Sequence, residues 1–161
     1  MIIYLIGPSG VGKTSCACHA ASMLKAEYRN LDKLCTGQQF NWNVCRHSLD
    51  SIESESRLNN AFYMVDIGAG TQCLPDLLQY LIPRRQRVIL IWAPPSEVIR
   101  RNPLGANRSR EEYGRTEYIS RKNLYSLAMH KLDVSCMSQD EENAHFMDYV
   151  CKTFNITAQQ L

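Results

Sequence analysis

The residues Gly7, Lys13 and Thr14 have the spacing of a phosphate-binding loop. They belong to Gly7-Pro8-Ser9-Gly10-Val11-Gly12-Lys13-Thr14, which matches the P-loop pattern Gly-x-x-x-x-Gly-Lys-Thr. Glycines let the main chain approach an anion closely, so that its N–H groups converge on the phosphate oxygens. The Lys13 ammonium can contact the β- and γ-phosphates, and the Thr14 hydroxyl can ligate Mg²⁺. This pattern predicts nucleotide binding.

The segments on either side of this loop favour a P-loop over a chance glycine turn. The apolar and aromatic run Ile2–Ile6 is typical of a parallel strand buried on both faces. After the loop, Ala17, Ala20, Ala21 and Leu24 recur at helical spacing. The order of strand, loop and helix is the one that the mechanism of phosphate binding requires.

Two aspartates follow predicted strands. Asp66 is a candidate for orienting Mg²⁺ or its water, although it could instead cap the glycine-rich turn that follows. Asp32 could accept the proton of a substrate hydroxyl, or it could be a simple turn residue. The residue types alone leave both alternatives open.

Basic residues outnumber acidic ones between Arg100 and Lys122. Arginines there suit a flap that closes over a triphosphate and neutralises the transferring phosphoryl group. We expect a lid at about 102–116, with Arg108, Arg110 or Arg115 as its active arginine. The alternative is an ordinary solvated helix surface.

Predicted strands alternate with predicted helices along most of the chain, which indicates parallel pairing through right-handed crossovers. We therefore expect a three-layer α/β/α fold whose ligands bind beyond the carboxyl ends of the strands. The predicted strands are Ile2–Ile6, Tyr28–Asp32, Ala61–Asp66, Val88–Trp92 and Leu132–Cys136. Helices are predicted between these strands, including one at about Gln38–Leu58 and one at about Glu117–His130.

Composition excludes several classes of protein. At 161 residues the chain predicts one domain, 1–161, with a substantial core, and its net charge of +2 is too small to indicate a nucleic-acid partner. The seven cysteines show neither Cys-x-x-Cys pairs nor zinc-like spacing with histidine, so we interpret them as reduced packing residues. No stretch is long enough for a membrane span, and Met1 leads directly into the first strand. We expect a cytoplasmic monomer without a signal peptide.

Taken together, these motifs resemble shikimate kinase, within the small P-loop kinases related to nucleoside monophosphate kinases. The resemblance covers nearly the whole chain, although only the P-loop is highly specific. Its other parts are the Asn30-Leu31-Asp32 strand end, Gly68-Ala69-Gly70, Val88–Arg101 and Arg121-Lys122-Asn123-Leu124-Tyr125, which is similar to the family's Arg-x-x-Leu-Tyr. The resemblance implies a five-stranded parallel sheet with a short lid, ATP with Mg²⁺, and phosphoryl transfer to a small-molecule hydroxyl.

The resemblance also implies roles for individual residues. Asp32 would be the proton acceptor, Arg100 would pack on adenine, and Arg121 would hold a carboxylate of the substrate. Lys13, Asp32 and Arg121 are thus the expected catalytic residues, and Thr14 and Asp66 the expected metal site. The residues expected to bind ATP are Gly7, Pro8, Ser9, Gly10, Val11, Gly12, Lys13, Thr14, Ser15 and Arg100. Those expected to bind the substrate are Asp32, Arg46, Gly68, Ala69, Gly70 and Arg121.

Departures from the family pattern leave the substrate open. Asn30 replaces the first of two aspartates that the family carries at this strand end. In the family this aspartate helps to hold the ligands of Mg²⁺, and Asp66 could do so here. Asp50 aligns with the family's other carboxylate-binding arginine, which would repel an acid such as shikimate. Arg46, one turn earlier, could compensate for this change or pair with Asp50.

Three functions are compatible with the sequence. The first is an ATP-dependent small-molecule kinase. The second is a nucleoside or nucleotide kinase, whose acceptor base would stack between aromatics such as Phe40 and Trp42. The third is a regulatory ATP-binding protein that has lost turnover.

Overall fold

The sheet is built around a central strand, β1 (Ile2–Ile6), in which every residue is buried. The computed structural model describes residues 1–35, 40–101 and 109–156. Five parallel strands stand in the order β2-β3-β1-β4-β5. The others are β2 (Glu27–Asn30), β3 (Tyr63–Asp66), β4 (Val88–Trp92) and β5 (His130–Asp133).

Helices cover both faces of this sheet, so the predicted three-layer α/β/α class is confirmed. The α-helices are α1 (Lys13–Met23), α2 (Leu31–Leu34), α3 (Trp42–Leu58), α4 (Pro75–Leu81), α5 (Pro95–Arg101), α6 (Arg110–Gly114), α7 (Lys122–Leu127) and α8 (Gln139–Phe154). Two 3₁₀ turns, Thr71–Cys73 and Ile82–Arg87, and one π-helical turn, Arg115–Ile119, complete the described elements.

The residues of the strands alternate between two hydrophobic cores because successive side chains point to opposite faces of a sheet. On one face, Ile3 and Leu5 pack with the small residues of α1 and with Phe146 of α8. On the other face, Tyr4 and Ile6 pack with residues of α3 and α4. The two cores hold β1 between the two layers of helices, and the P-loop begins at the carboxyl end of this strand.

Several predicted boundaries were wrong. For example, β3 begins at Tyr63 rather than at Ala61, and β5 ends at Asp133 rather than at Cys136. The second strand ends at Asn30, because the Asn30 side chain accepts the Lys33 N–H (3.0 Å) and caps α2, which contains Asp32. The helix predicted at Glu117–His130 is divided into the π-helical turn and α7, and it ends at Leu127 because Ala128 is extended. The last strand begins earlier than the predicted Leu132, since His130 already pairs with β4.

The described part of the chain contains no helix that is both long enough and apolar enough to cross a bilayer. The thiols of all seven cysteines are free.

Candidate functional site

The P-loop joins β1 to α1 through backbone conformations that favour glycine. Gly7 has a φ of 151° and Gly12 a φ of 105°. A Cβ at Gly7 would lie 2.3 Å from the carbonyl oxygen of Ile91 in β4, and one at Gly12 would lie 2.8 Å from Glu142 Oε2. The glycines predicted from the motif are therefore required both by the turn and by close packing against neighbouring elements.

Lys13 is the buried cation of this loop, with only 7% of its surface exposed. Its Nζ donates to the carbonyl oxygens of Gly7 (3.0 Å) and Pro8 (2.9 Å), so the side chain folds back over the loop. Burial lowers the pKa of Lys13 below its usual value. The nearby carboxylates of Asp66 and Glu117 oppose that shift. The loop thus holds the amine of Lys13 beside carboxylates in a site that is largely closed to water.

Asp66 ends β3 directly beside Thr14. The Thr14 hydroxyl donates to Asp66 Oδ2 (2.7 Å), as do the Tyr28 hydroxyl (3.2 Å) and the Asn30 amide (3.4 Å). Asp66 Oδ1 is buried and has no hydrogen-bond partner among the described residues. An aligned carboxylate with one unused oxygen beside a hydroxyl fits Mg²⁺, which prefers oxygen ligands and keeps several waters.

Asp32 is held at the same edge of the sheet by the turn that follows β3. Its Oδ1 accepts the Thr71 N–H (2.9 Å) and its Oδ2 accepts the Gly70 N–H (3.3 Å). A Cβ at Gly68 would lie 2.0 Å from the Asp32 carboxyl carbon. The glycines that sequence reasoning assigned to the substrate therefore position Asp32. A carboxylate has about four acceptor sites, so two backbone bonds leave room for a hydroxyl.

Arg121 lies buried beside the P-loop, and an acid of this chain pairs with it. Its Nη1 and Nη2 donate to Glu117 Oε2 (2.7 Å) and Oε1 (3.2 Å). Glu117 Oε2 also accepts the N–H of Ser9 in the P-loop (2.8 Å). Burial lowers the pKa of Arg121, but the combined effects of Glu117, Tyr125 and Cys73 outweigh burial and raise the pKa above its usual value.

Two tyrosines fasten the end of the predicted lid and the turn after it, one to the P-loop and one to the segment after β4. The Tyr113 hydroxyl donates to the Ser9 carbonyl oxygen (2.5 Å), and the Tyr118 hydroxyl donates to the carbonyl of Ala93 (2.6 Å). Arg110 and Arg115 are both exposed. Residues 102–108 of the predicted lid, with Arg108, lie outside the described residues.

A cavity of about 830 Å³ opens beside the P-loop. It is lined by residues 10–15 of the loop, by Arg100 and by Met137 and Ser138 near the start of α8. Its volume is within the range of small-molecule sites. Arg100, whose guanidinium also donates to both oxygens of Glu97, thus lies beside the P-loop.

Other predicted residues have different surroundings. Arg46 is exposed and lies 3.5 Å from Asp50 (Nε to Oδ2), so the pairing considered above is present. Phe40 lies against Gly70, whereas Trp42 packs edge-on against Tyr80, with 5.9 Å between the ring centroids.

The remaining members of the predicted set have local contacts. The Ser15 hydroxyl donates to Asn143 Oδ1 (3.3 Å), and Val11 is buried. The carbonyl of Ala69 accepts the Cys73 thiol at 3.5 Å. None of these contacts changes the predicted role of the loop.

Sequence reasoning missed three buried polar residues. Gln72 joins the ends of β1 and β3 through bonds to the N–H (3.2 Å) and carbonyl (3.0 Å) of Gly7. Glu142 accepts from Arg101 and lies against Gly12. Glu117 was counted only as part of a helix face. The i,i+4 spacing of Glu117 and Arg121 was the one signal in the sequence that could have revealed the pair.

The sheet order, the P-loop and the acids at the strand ends define a P-loop NTPase fold of the shikimate kinase type. The chain is similar to a shikimate kinase from Bacteroides thetaiotaomicron, with a TM-score of 0.74, 15% identity and coverage of 97% of this chain and 99% of that one. It is also similar to the YorR protein of Bacillus subtilis, solved in complex with phosphorylated GDP (TM-score 0.65, 12% identity, coverage 98% and 99%).

A third similar structure is a gluconokinase from Sinorhizobium meliloti 1021, with a TM-score of 0.57, 12% identity and coverage of 93% and 91%. The sequence itself matches no family model and no curated protein. At these identities the structural similarity establishes the fold, and the reaction has to be argued from the site.

Proposed function

We propose that this protein transfers a phosphoryl group from ATP to a hydroxyl of a small-molecule acceptor. The observation that carries this proposal is the convergence of Lys13, the Thr14–Asp66 pair and Asp32 at one edge of the sheet. Asp66 and Asp32 both lie close enough to Lys13 to influence its pKa. A cation for the phosphates, an oxygen pair for a metal and a carboxylate for the acceptor are the parts that this chemistry requires.

On the nucleotide side, the P-loop and the cavity lined by Arg100 would bind ATP. Lys13 would leave its bonds to the loop carbonyls and contact the phosphates, because a buried ammonium attracts the developing charge more strongly than water does. Thr14 and Asp66 would hold Mg²⁺, directly or through water. When bound, Mg²⁺ supplies electrostatic stabilisation of the phosphoryl group.

On the acceptor side, Asp32 would accept the proton of the attacking hydroxyl. The N–H groups of Gly70 and Thr71 fix the direction of the carboxylate, so that the acceptor does not have to order it. The similar gluconokinase and shikimate kinase structures, whose names denote phosphorylation of small hydroxy acids, support a small-molecule acceptor.

Two other functions remain as alternatives. A nucleoside or nucleotide kinase is favoured by the similar structure of YorR with phosphorylated GDP and by the exposed ring of Phe40 beside Gly70. A non-catalytic ATP-binding protein is favoured by Asn30, which stands where the family has an aspartate and here donates to Asp66.

The test is ADP release from Mg-ATP with a panel of sugars, polyols, hydroxy acids and nucleosides. We expect one class to stimulate release, and Lys13→Ala to reduce the stimulated rate by about 10²–10³-fold. Asp32→Asn should reduce turnover while leaving ATP binding intact. Lys122→Ala, at an exposed position of α7, is the matched control.

Stimulation by nucleosides alone would favour the nucleoside kinase. Bound ATP with no stimulated release across the panel would favour the regulatory alternative.

A further inference from the structure

The guanidinium at the position where a substrate acid is expected to bind is already paired with an acid of this chain. Arg121 uses both terminal nitrogens on Glu117, and the two side chains are 6% and 3% exposed. This bidentate pair uses the two terminal nitrogens of the guanidinium, while its buried Nε has no hydrogen-bond partner among the described residues. A substrate carboxylate at Arg121 would therefore meet a guanidinium whose charge Glu117 already neutralises.

Glu117 is fixed from a second direction and is therefore difficult to displace. The Ser9 N–H of the P-loop donates to Glu117 Oε2, the same oxygen that accepts Arg121 Nη1. The hydroxyl of Tyr113, one turn earlier in the chain, donates to the carbonyl of the same serine. Moving Glu117 away would leave both an N–H of the loop and a buried guanidinium without their partner, which is strongly unfavourable.

The second arginine considered for an acid is also paired. Arg46 lies beside Asp50, and both side chains are more than half exposed. Asp32 and Asp66 place two carboxylates at this edge of the sheet, close to the Lys13 ammonium. A second negative charge on the acceptor would be repelled by these acids, and among the described residues the cation beside them is Lys13, which we assign to the phosphates of ATP.

Arg121 lines a cavity of about 410 Å³. The rest of the lining is neutral, with apolar side chains such as Leu78 and Leu124 and neutral polar groups such as Ser120 and Asn123. This cavity begins at the 3₁₀ turn Thr71–Cys73, whose first N–H holds Asp32. Its lining suits hydroxyl groups and carbon atoms.

From this geometry we infer that the phosphoryl acceptor is an uncharged hydroxyl compound, such as a sugar, a polyol or a nucleoside. Glu117 is the specificity-determining residue, because it occupies Arg121 in place of a substrate acid. This inference rests on the proposed kinase function and names the class of its substrate.

The experiment uses acceptor pairs that differ only in the acid group: gluconate against glucitol, and shikimate against methyl shikimate. Thermal stability of the full chain with Mg-ATP is measured for wild type, Glu117→Gln and the matched control Glu111→Gln, which changes an exposed acid on α6. In wild type and in the control, the acids should raise Tm no more than their neutral partners do. In Glu117→Gln, the acids should raise Tm by roughly 2–4 °C more, because Arg121 becomes available.

The double variant Glu117→Gln/Arg121→Gln should lose that acid-dependent rise, which loss of stability alone would not produce. The inference is overturned if the acids stabilise wild type as strongly as they stabilise Glu117→Gln, or if Glu117→Gln gains no acid-dependent rise. ADP release is followed with the same compounds. Absence of release with every acceptor would count against kinase activity, whereas the Tm comparison would still report on Arg121.

Discussion

The substitution Gly68→Ala tests whether Asp32 is held in position by the turn after β3. A Cβ at this position would lie 2.0 Å from Asp32 Cγ and 2.0 Å from its Oδ2. Ordinary contact begins near 3.4 Å, so the carboxylate must move by about 1.4 Å. This movement would break its bonds to the Thr71 N–H (2.9 Å) and the Gly70 N–H (3.3 Å).

Each lost bond to a charged group is worth about 1.5–3 kcal/mol, and the half-buried carboxylate recovers part of this through water. We expect the free energy of unfolding to fall by about 2 kcal/mol. Turnover should fall about 100-fold because the proton acceptor is displaced by more than 1 Å. Urea unfolding and acceptor-stimulated ADP release measure the two effects.

Gly114→Ala is the matched control. A Cβ there would meet nothing within 4 Å at the end of α6, so this variant should retain its activity and gain up to about 1 kcal/mol of stability. If Gly68→Ala behaved like Gly114→Ala in both assays, the argument that Gly68 positions Asp32 would be refuted.

Two further predictions concern single carboxylates. Asp66→Asn should reduce the gain in ATP affinity that Mg²⁺ provides by about 10–100-fold, because a neutral amide replaces the carboxylate with the unused oxygen. The prediction is contradicted if the ratio of the ATP affinity with Mg²⁺ to the ATP affinity with EDTA is the same in wild type and in Asp66→Asn. Glu53 lies beneath the sheet and accepts from Arg84 (2.5 Å) and from the hydroxyls of Tyr4 (3.0 Å) and Tyr80 (2.8 Å). Although burial opposes it, this set of donors lowers the pKa of Glu53 from 4.5 to about 2. The stabilisation of the folded protein by the ionised Glu53 carboxylate is therefore complete above pH 4.5 and is lost as the pH falls toward 2. Glu53→Gln should be less stable than wild type at pH 7, and the difference should shrink across that interval in urea unfolding; a difference independent of pH would contradict the assignment.

Part of this site follows directly from the order of residues in the sequence. The P-loop could be predicted because its chemistry depends on neighbouring residues, from Gly7 to Thr14, and on the strand and helix that flank them. Asp66 could be placed because it directly follows an apolar strand, and parallel strands bring their carboxyl ends to one edge. The boundaries of β2 and β5 were less accurate, since capping by Asn30 and pairing with β4 decide them.

The burial of Arg121 and its pairing with Glu117 were decided by the tertiary structure. The sequence showed an arginine in a family-like motif and an acid four residues earlier, a spacing that on most helices gives an exposed pair of little consequence. In the folded protein both side chains are buried, Glu117 within the π-helical turn and Arg121 just before α7. Ser9, more than a hundred residues away in the chain, fixes the acid. Local sequence determines which groups a loop presents, whereas packing between distant segments determines which of those groups remain available to a ligand.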